Sequence, residues 1–325
     1  MSSMSDISHP AFSPANPSLP LQSWQHFKRP FVRDLAFSLA CPNALNHWLD
    51  LNPLIPTPDV TMHSAQFWQA QFEAYANRLH ELDNTRAYQD LTRYLMNRPS
   101  PYRLGFHFEG LIHFWLEDGF ALGLHPFEVI AHNVQLYRDK KTVGELDFII
   151  RNHDTGEVEH WELSIKFYLG STPFEPTNWV GINAKDTLHR KLIHMQTKQF
   201  KTVWVDMDFY DKGQIDKRYA VLKGRFYLPL KEETLTAPTL PNWLANDFPI
   251  HHWLDLTGKT SDELQHIIQD AQIRHAHYVE WFTRRPFYDA DAISVDELAI
   301  QIPLNELNTG LYFIDDNPVV LVNRH

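Results

Sequence analysis

The chain has 325 residues, of which 43% are hydrophobic and 21% charged, so it is long enough to bury a large core. No run approaches the ~20 apolar residues of a membrane-spanning helix, which predicts a soluble protein with no membrane partner. The net charge of −11 would repel nucleic acid at long range, so such contact requires a local basic patch. Cys41 is the only cysteine, which excludes internal disulfides and favours a cytoplasmic location.

The first hundred residues predict an arm followed by helices. Residues 1–25 are rich in Ser and Pro and lack the basic head and apolar run of a signal peptide, so we expect a flexible arm. Apolar side chains recur at helical spacing after Val32 and again over residues 64–96. Residues 26–100 are therefore expected to form a helical extension.

The next segment, residues 101–235, predicts an α/β core. RLGFHFEGLIHFWLE, from Arg103, indicates an apolar helix, and FEVIAHNVQLY, from Phe127, indicates a strand. Two alternating runs then flank Asp154-Thr155-Gly156, a turn signal typical of a β-hairpin. Helical spacing over residues 181–200 and a strand-like run from Arg218 complete this core.

The last segment, residues 236–325, predicts an α+β extension. Pro238 and Pro241 mark its boundary. Two capping boxes, Thr260 with Glu263 and Ser294 with Glu297, each open an expected helix. The run LYFIDDNPVVLV closes the chain as an expected hairpin.

The central hairpin brings acidic and basic side chains together. Alternation on its second strand places Glu162, Ser164 and Lys166 on one face, with apolar side chains on the other. On its first strand, Asp147 lies opposite an apolar face. If the turn is centred at residues 154–155, paired residue numbers sum to 309, which places Asp147 directly across from Glu162.

This pattern favours a metal site. Facing carboxylates repel unless a cation compensates, and hard oxygen ligands suit Mg²⁺ or Mn²⁺. Asp147 and Glu162 are thus candidate metal ligands, and the Lys166 ammonium would assist a water or neutralise phosphate charge. The alternative is an exposed ion pair between Glu162 and Lys166.

Glu109, a carboxylate in an apolar helix, is a fourth candidate, unless it lies on the water-facing edge of that helix.

A basic segment follows the hairpin. Its cations are Lys185, Arg190, Lys191, Lys198 and Lys201. They are expected to meet phosphates of a nucleic acid at the mouth of the site, or else to form a solvated helix face. Lys191 and Gln199 lie near the apolar stripe and not opposite it, so together with Ser164 they are candidate substrate-binding residues.

Several motifs resemble a known family. They are Val32-Arg33-Asp34-Leu35-Ala36, Arg103-Leu104-Gly105 through Leu111, Gly144-Glu145-Leu146-Asp147-Phe148, Trp161-Glu162-Leu163 through Leu169, and Gly181-Ile182-Asn183 through Lys191. With these motifs, most of the chain resembles the bacterial domain of unknown function 1853 family. The resemblance implies the PD-(D/E)xK nuclease superfamily, whose restriction-endonuclease-like core is a mixed sheet flanked by helices.

The resemblance also implies roles for individual residues. Asp147 and Glu162 would hold the metal, Glu109 would be the helix glutamate, and Lys166 would be the catalytic lysine. One departure is that Ser164 occupies the usual lysine position, and Lys166 lies roughly 6.5 Å further along the strand.

Three classes of function follow from these observations. The first is a metal-dependent nuclease that hydrolyses phosphodiester bonds in DNA or RNA. The second is a catalytically silent protein of the same fold that binds nucleic acid or another protein, which the charge of −11 and the displaced lysine favour. A purely structural protein ranks last, because it leaves the carboxylates without a purpose. The sequence makes no prediction of the oligomeric state.

Overall fold

A computed structural model of the chain describes residues 23–52, 54, 59–138, 141–202, 214–230 and 239–324. The predicted flexible arm lies outside these ranges, apart from its last three residues, 23–25, and so does Pro238. Within the described ranges, none of the helices combines the length and the hydropathy needed to cross a bilayer.

Helices form at most of the predicted positions. Seven α-helices occur among the described residues: α1 (Pro30–Ala40), α2 (Ala65–Asn84), α3 (Tyr88–Met96), α4 (Leu104–Ala121), α5 (Leu188–His194), α6 (Ser261–Ile267) and α7 (Val295–Gln301). The predicted capping box of Thr260 and Glu263 is complete, whereas at the second one Ser294 accepts the backbone N–H of Glu297 without the reciprocal bond. These caps satisfy N–H groups that the first helical turn leaves unpaired.

The described strands join one mixed sheet. They are β1 (Val60–Thr61), β2 (Phe127–Arg138), β3 (Lys141–Asn152), β4 (Val158–Gly170), β5 (Trp179–Val180), β6 (Lys217–Pro229), β7 (Ile250–Asp255), β8 (Gln272–His275), β9 (Ile293–Ser294), β10 (Gly310–Ile314) and β11 (Asn317–Val322). Their order is β2-β3-β4-β6-β7-β11-β10-β8-β9, with β1 beside β6 and β5 beside β4. A large mixed sheet with flanking helices confirms the predicted α/β class.

One core joins the first helices to the sheet. The ring of Trp115 in α4 lies 6.4 Å from that of Trp161 in β4, and buried side chains of α1, such as Leu35, belong to the same cluster. β6 pairs in parallel with β4 on one side and with β7 on the other, so the segment after residue 236 contributes strands to the same sheet. Helix α4 therefore covers the Trp161 face of β4, which leaves the Glu162 face for the segment that contains α5.

The β3–β4 hairpin has the predicted register but a shorter ladder. Pairs from Arg151↔Val158 to Phe148↔Trp161 all sum to 309, and the ladder ends there. Asp147 is therefore not paired with Glu162 through the backbone. Its carboxylate instead accepts the backbone N–H of Leu163 at 2.7 Å. This N–H lies on the edge of β4 that faces β3, so it is paired with the Asp147 side chain and not with a backbone carbonyl of β3. The two strands diverge from this point.

A buried carboxylate connects the first helix to the C-terminal segment. Asp34 is fully buried, and its oxygens accept 2.8 and 2.6 Å hydrogen bonds from Arg285. His107 and Thr283 also contact this carboxylate. Burial alone would raise the pKa of Asp34, but the charge of Arg285 and the hydrogen bond with His107 hold it below its usual value. Asp34 therefore stays ionised at neutral pH.

Replacing this aspartate should destabilise the fold strongly. We expect Asp34→Asn to lower the free energy of unfolding by about 3–5 kcal/mol, because it leaves Arg285 buried without its counter-ion. Urea unfolding at neutral pH measures the loss, and the exposed Asp90→Asn in α3 serves as the control. Since the Asp34 pKa is depressed, the difference should shrink below about pH 4. Equal stability of the two variants would contradict this role.

Candidate functional site

Two carboxyl groups meet where β3 and β4 diverge. Glu162 projects from β4 and is 1% exposed, and the partly buried Asp147 lies beside it on β3. The two carboxyls form a hydrogen bond with each other, and this bond acts to lower the pKa of Glu162. We refer to Asp147 and Glu162 as the acidic pair. The sequence placed these residues together, and the structure brings them together through their side chains.

Burial makes both acids weak. It raises the pKa of Glu162 to about 7, although the charge of Lys191 acts in the opposite direction. Burial also raises the pKa of Asp147 well above its usual value, and repulsion from Glu162 raises it further. Without a cation, the pair should therefore retain a proton near neutral pH.

This raised pKa predicts a pH-dependent stability. The folded state holds a proton on Glu162 that the unfolded chain has lost, so the free energy of unfolding falls as pH rises from 4.5 to about 7. We expect wild type to lose roughly 3 kcal/mol relative to Glu162→Gln over this interval. Urea unfolding in EDTA at several pH values measures the difference. A constant difference between the two proteins would show that Glu162 titrates normally.

The segment opposite the acidic pair is shorter as a helix than predicted. Helix α5 begins at Leu188, because Thr187 caps it by accepting the N–H of Arg190, and residues 181–187 are not helical. The predicted buried stripe, which includes Leu188 and Leu192, is confirmed. A π-helical turn, Met195–Gln199, follows α5 directly. Such wide turns change which side chains share a face and are frequent at functional sites.

Two polar side chains of this segment reach Glu162. Gln199 donates a hydrogen bond from Nε2 to Oε1 of Glu162, and the Nζ of Lys191 lies 4.0 Å from the same oxygen. Oε2 of Glu162 is buried and receives no hydrogen bond from any described residue. Both candidate substrate-binding residues of the helix thus contact the acidic pair directly.

His160 is a neighbour that the sequence analysis missed. Its Nε2 lies 3.4 Å from Oε2 of Glu162, and its ring packs against Phe200 at 5.4 Å. Burial lowers the pKa of His160 to about 4, so the ring is neutral at pH 7. Alternation along β4 contained the signal, because residues 160 and 162 share a face.

Lys166 does not reach the acidic pair. Its Nζ lies 2.6 Å from Oδ2 of Asp186, whose other oxygen accepts the hydroxyl of Tyr168. The register with β6 is continuous through Lys166, so it keeps the face of Glu162 but lies about 13 Å further along the strand. The expectation that this ammonium serves the carboxylates is not met, because Asp186 binds it. Ser164 lies between the two positions and is 8% exposed.

Glu109 lies on α4 and has its own counter-ion. Arg98 donates a 2.5 Å hydrogen bond to Oε1 of Glu109, and Asn133 forms another hydrogen bond. Burial raises the pKa of Glu109 despite Arg98. The charge of Glu109 contributes to the raised pKa of both Asp147 and Glu162, which places it close to the acidic pair.

The segment that contacts Glu162 carries several cations. Lys185, Arg190 and Lys198 are exposed, whereas Lys191 points inward. In the described part of the chain, no cluster of three or more His, Cys, Asp or Glu side chains is arranged to hold a metal ion. A metal at this position would therefore have two protein carboxylates as ligands and would need further oxygens from water or substrate.

Comparison with known proteins identifies the family. The family model described as Domain of unknown function (DUF1853) matches residues 33–301. Neither the curated proteins nor the solved structures contain a match. The matched span includes the acidic pair, Glu109, and the segment with Lys191 and Gln199. Since it covers most of the sequence, the chain belongs to the DUF1853 family.

Proposed function

We propose that this protein is a metal-dependent phosphodiesterase that cleaves DNA or RNA, built on a restriction-endonuclease-like core. The observation that carries the proposal is the acidic pair, in which the buried carboxyl of Glu162 meets the partly buried carboxyl of Asp147 at the fork between β3 and β4. The arrangement of β3, β4 and β6 between α4 and the α5 segment supports that core. A cytoplasmic location belongs to the same proposal.

The acidic pair fits a divalent metal. Oε2 of Glu162 receives no hydrogen bond within the described chain, and ionising both carboxyls without a cation is opposed by burial and mutual repulsion. Asp147 and Glu162 would hold Mg²⁺ or Mn²⁺, which commonly bind one or two carboxylates together with substrate phosphate. When bound, such a cation supplies a water of lowered pKa and neutralises phosphate charge.

The other side chains position the acidic pair or the substrate. Gln199 holds one Glu162 oxygen, which orients the carboxylate. Lys191 lies where its ammonium would contact a phosphate beside Glu162, so we assign to it the role that the sequence gave to Lys166. Glu109 of α4, paired with Arg98 from the turn before that helix, borders the site.

The alternative is a catalytically silent protein of the same fold that binds nucleic acid or another protein. The observation that favours it is the ion pair between Lys166 and Asp186, which leaves the strand lysine away from the carboxylates. The net charge of −11 also favours it, because it weakens attraction for a phosphate polymer.

A cleavage assay separates the two functions. Purified protein is incubated with single-stranded, duplex and branched DNA and RNA, with Mg²⁺ or Mn²⁺ and with EDTA as the control. The proposal predicts cleavage of at least one substrate only when metal is present. Binding of a substrate without cleavage under any metal condition would favour the silent alternative.

A further inference from the structure

A cavity of about 460 Å³ opens further along β4 from the acidic pair. Ile165, Lys166 and Phe167 line it from β4, in the stretch between the end of the β3 ladder and the short pairing with β5. Lys166 is four residues from Glu162, or about 13 Å along the strand. The volume lies in the range of small-ligand sites.

Aromatic rings form the opposite wall of this cavity. Tyr278, Trp281 and His275 come from the C-terminal segment, and Trp281 packs edge to face on Phe167 with ring centroids 5.4 Å apart. Tyr278 is 56% exposed, although its ring is large and partly apolar. Aromatic side chains that line a cavity are typical of small-ligand sites.

One segment of the chain borders both the cavity and the acidic pair. Its first part, from Gly181 to Asp186, lines the cavity, and its later residues Lys191 and Gln199 contact Glu162. Two exposed cations belong to this segment, Lys185 in its first part and Arg190 just before Lys191. A polyanion that runs from the cavity to the acidic pair would therefore pass exposed cations.

We propose that this cavity binds one unstacked base of a single-stranded nucleic acid whose phosphate lies at the acidic pair. The inference rests on the proposed function and names its substrate class. The base stacks on Tyr278, as bases do on aromatic platforms of single-strand-binding proteins. The side-chain NH2 group of Asn183, which lines the cavity, can donate a hydrogen bond to the base edge. A duplex keeps its bases stacked, so it cannot fill the cavity without base flipping.

Binding without metal tests this inference separately from catalysis. Fluorescence anisotropy in EDTA compares a labelled single strand, the same strand with one abasic site at successive positions, and a duplex. The proteins are wild type, Tyr278→Ala, and Phe287→Ala as the control, because Phe287 is 62% exposed and lies outside the cavity lining. All three proteins should fold, since both rings are largely exposed.

We expect Tyr278→Ala to weaken single-strand binding on the order of tenfold, and Phe287→Ala to have little effect. An abasic site at one position should weaken wild-type binding similarly, and the two losses should not add. Equal affinity for duplex and single strand, or additive losses, would overturn the inference.

A parallel assay with Mg²⁺ distinguishes the two proposals. Base-dependent binding through Tyr278 without cleavage would support the proposal that the cavity binds a base and would contradict the proposed nuclease activity. If neither Tyr278→Ala nor the abasic site changes the cleavage rate, the proposed nuclease activity is supported and the proposal that the cavity binds a base is contradicted.

Discussion

Asp147→Asn is expected to reduce metal-dependent cleavage at least ~10³-fold without unfolding the protein. An amide is a poor ligand for a divalent metal in place of a carboxylate, and loss of metal-assisted charge stabilisation removes several kcal/mol from the transition state. The asparagine keeps an oxygen that can accept the N–H of Leu163, so the fork between β3 and β4 should persist.

The matched control for this variant is Asp154→Asn, which removes a carboxylate from the exposed turn of the same hairpin. It should cleave like wild type. Single-turnover rates at saturating metal measure both variants, and circular dichroism checks that they fold. Cleavage by Asp147→Asn at the rate of Asp154→Asn would show that the activity does not use the acidic pair.

Lys191→Gln should lower kcat by about 10²-fold or more, the usual range for losing a charged group that acts in the transition state. The reason is geometric, because its Nζ lies 4.0 Å from Glu162 while that of Lys166 is held by Asp186. The exposed Lys28→Gln, on the N-terminal side of α1, controls for loss of one positive charge.

The comparison with Lys166→Gln decides which lysine is catalytic. The family resemblance implies Lys166, whereas the distances in the structure favour Lys191. If Lys166 only lines the cavity further along β4, its replacement should raise KM more than it lowers kcat. A larger fall in kcat for Lys166→Gln than for Lys191→Gln would return the catalytic role to the strand lysine.

Local patterns predicted much of the fold and of the acidic pair. The turn at Asp154-Thr155-Gly156 fixed the register of β3 and β4, and alternation assigned Glu162 to one face of β4. Helical spacing identified the stripe that contains Leu192 as buried. Each of these inferences depends on residues close in sequence, where backbone geometry alone sets the side-chain directions.

Long-range contacts were the part that could not be predicted. Asp186 is 20 residues from Lys166, and nothing in the local pattern indicates that it binds the ammonium. The end of the ladder at Phe148 depends on a side chain of Asp147 replacing a backbone partner. The π-helical turn that carries Gln199 also has no signature in the helical spacing.

Calorimetric titration of wild type with Mn²⁺ or Mg²⁺ tests the central claim most directly. Metal binding should displace the proton that the acidic pair retains, because ligands bind as carboxylates. With the pKa of Glu162 at about 7, more protons should be released at about pH 6.5 than at about pH 9. Buffers of different ionisation enthalpy measure this release, and Asp147→Asn should show neither binding nor release. Absence of metal binding by wild type, or binding that Asp147→Asn retains, would contradict the assignment of a metal to the acidic pair.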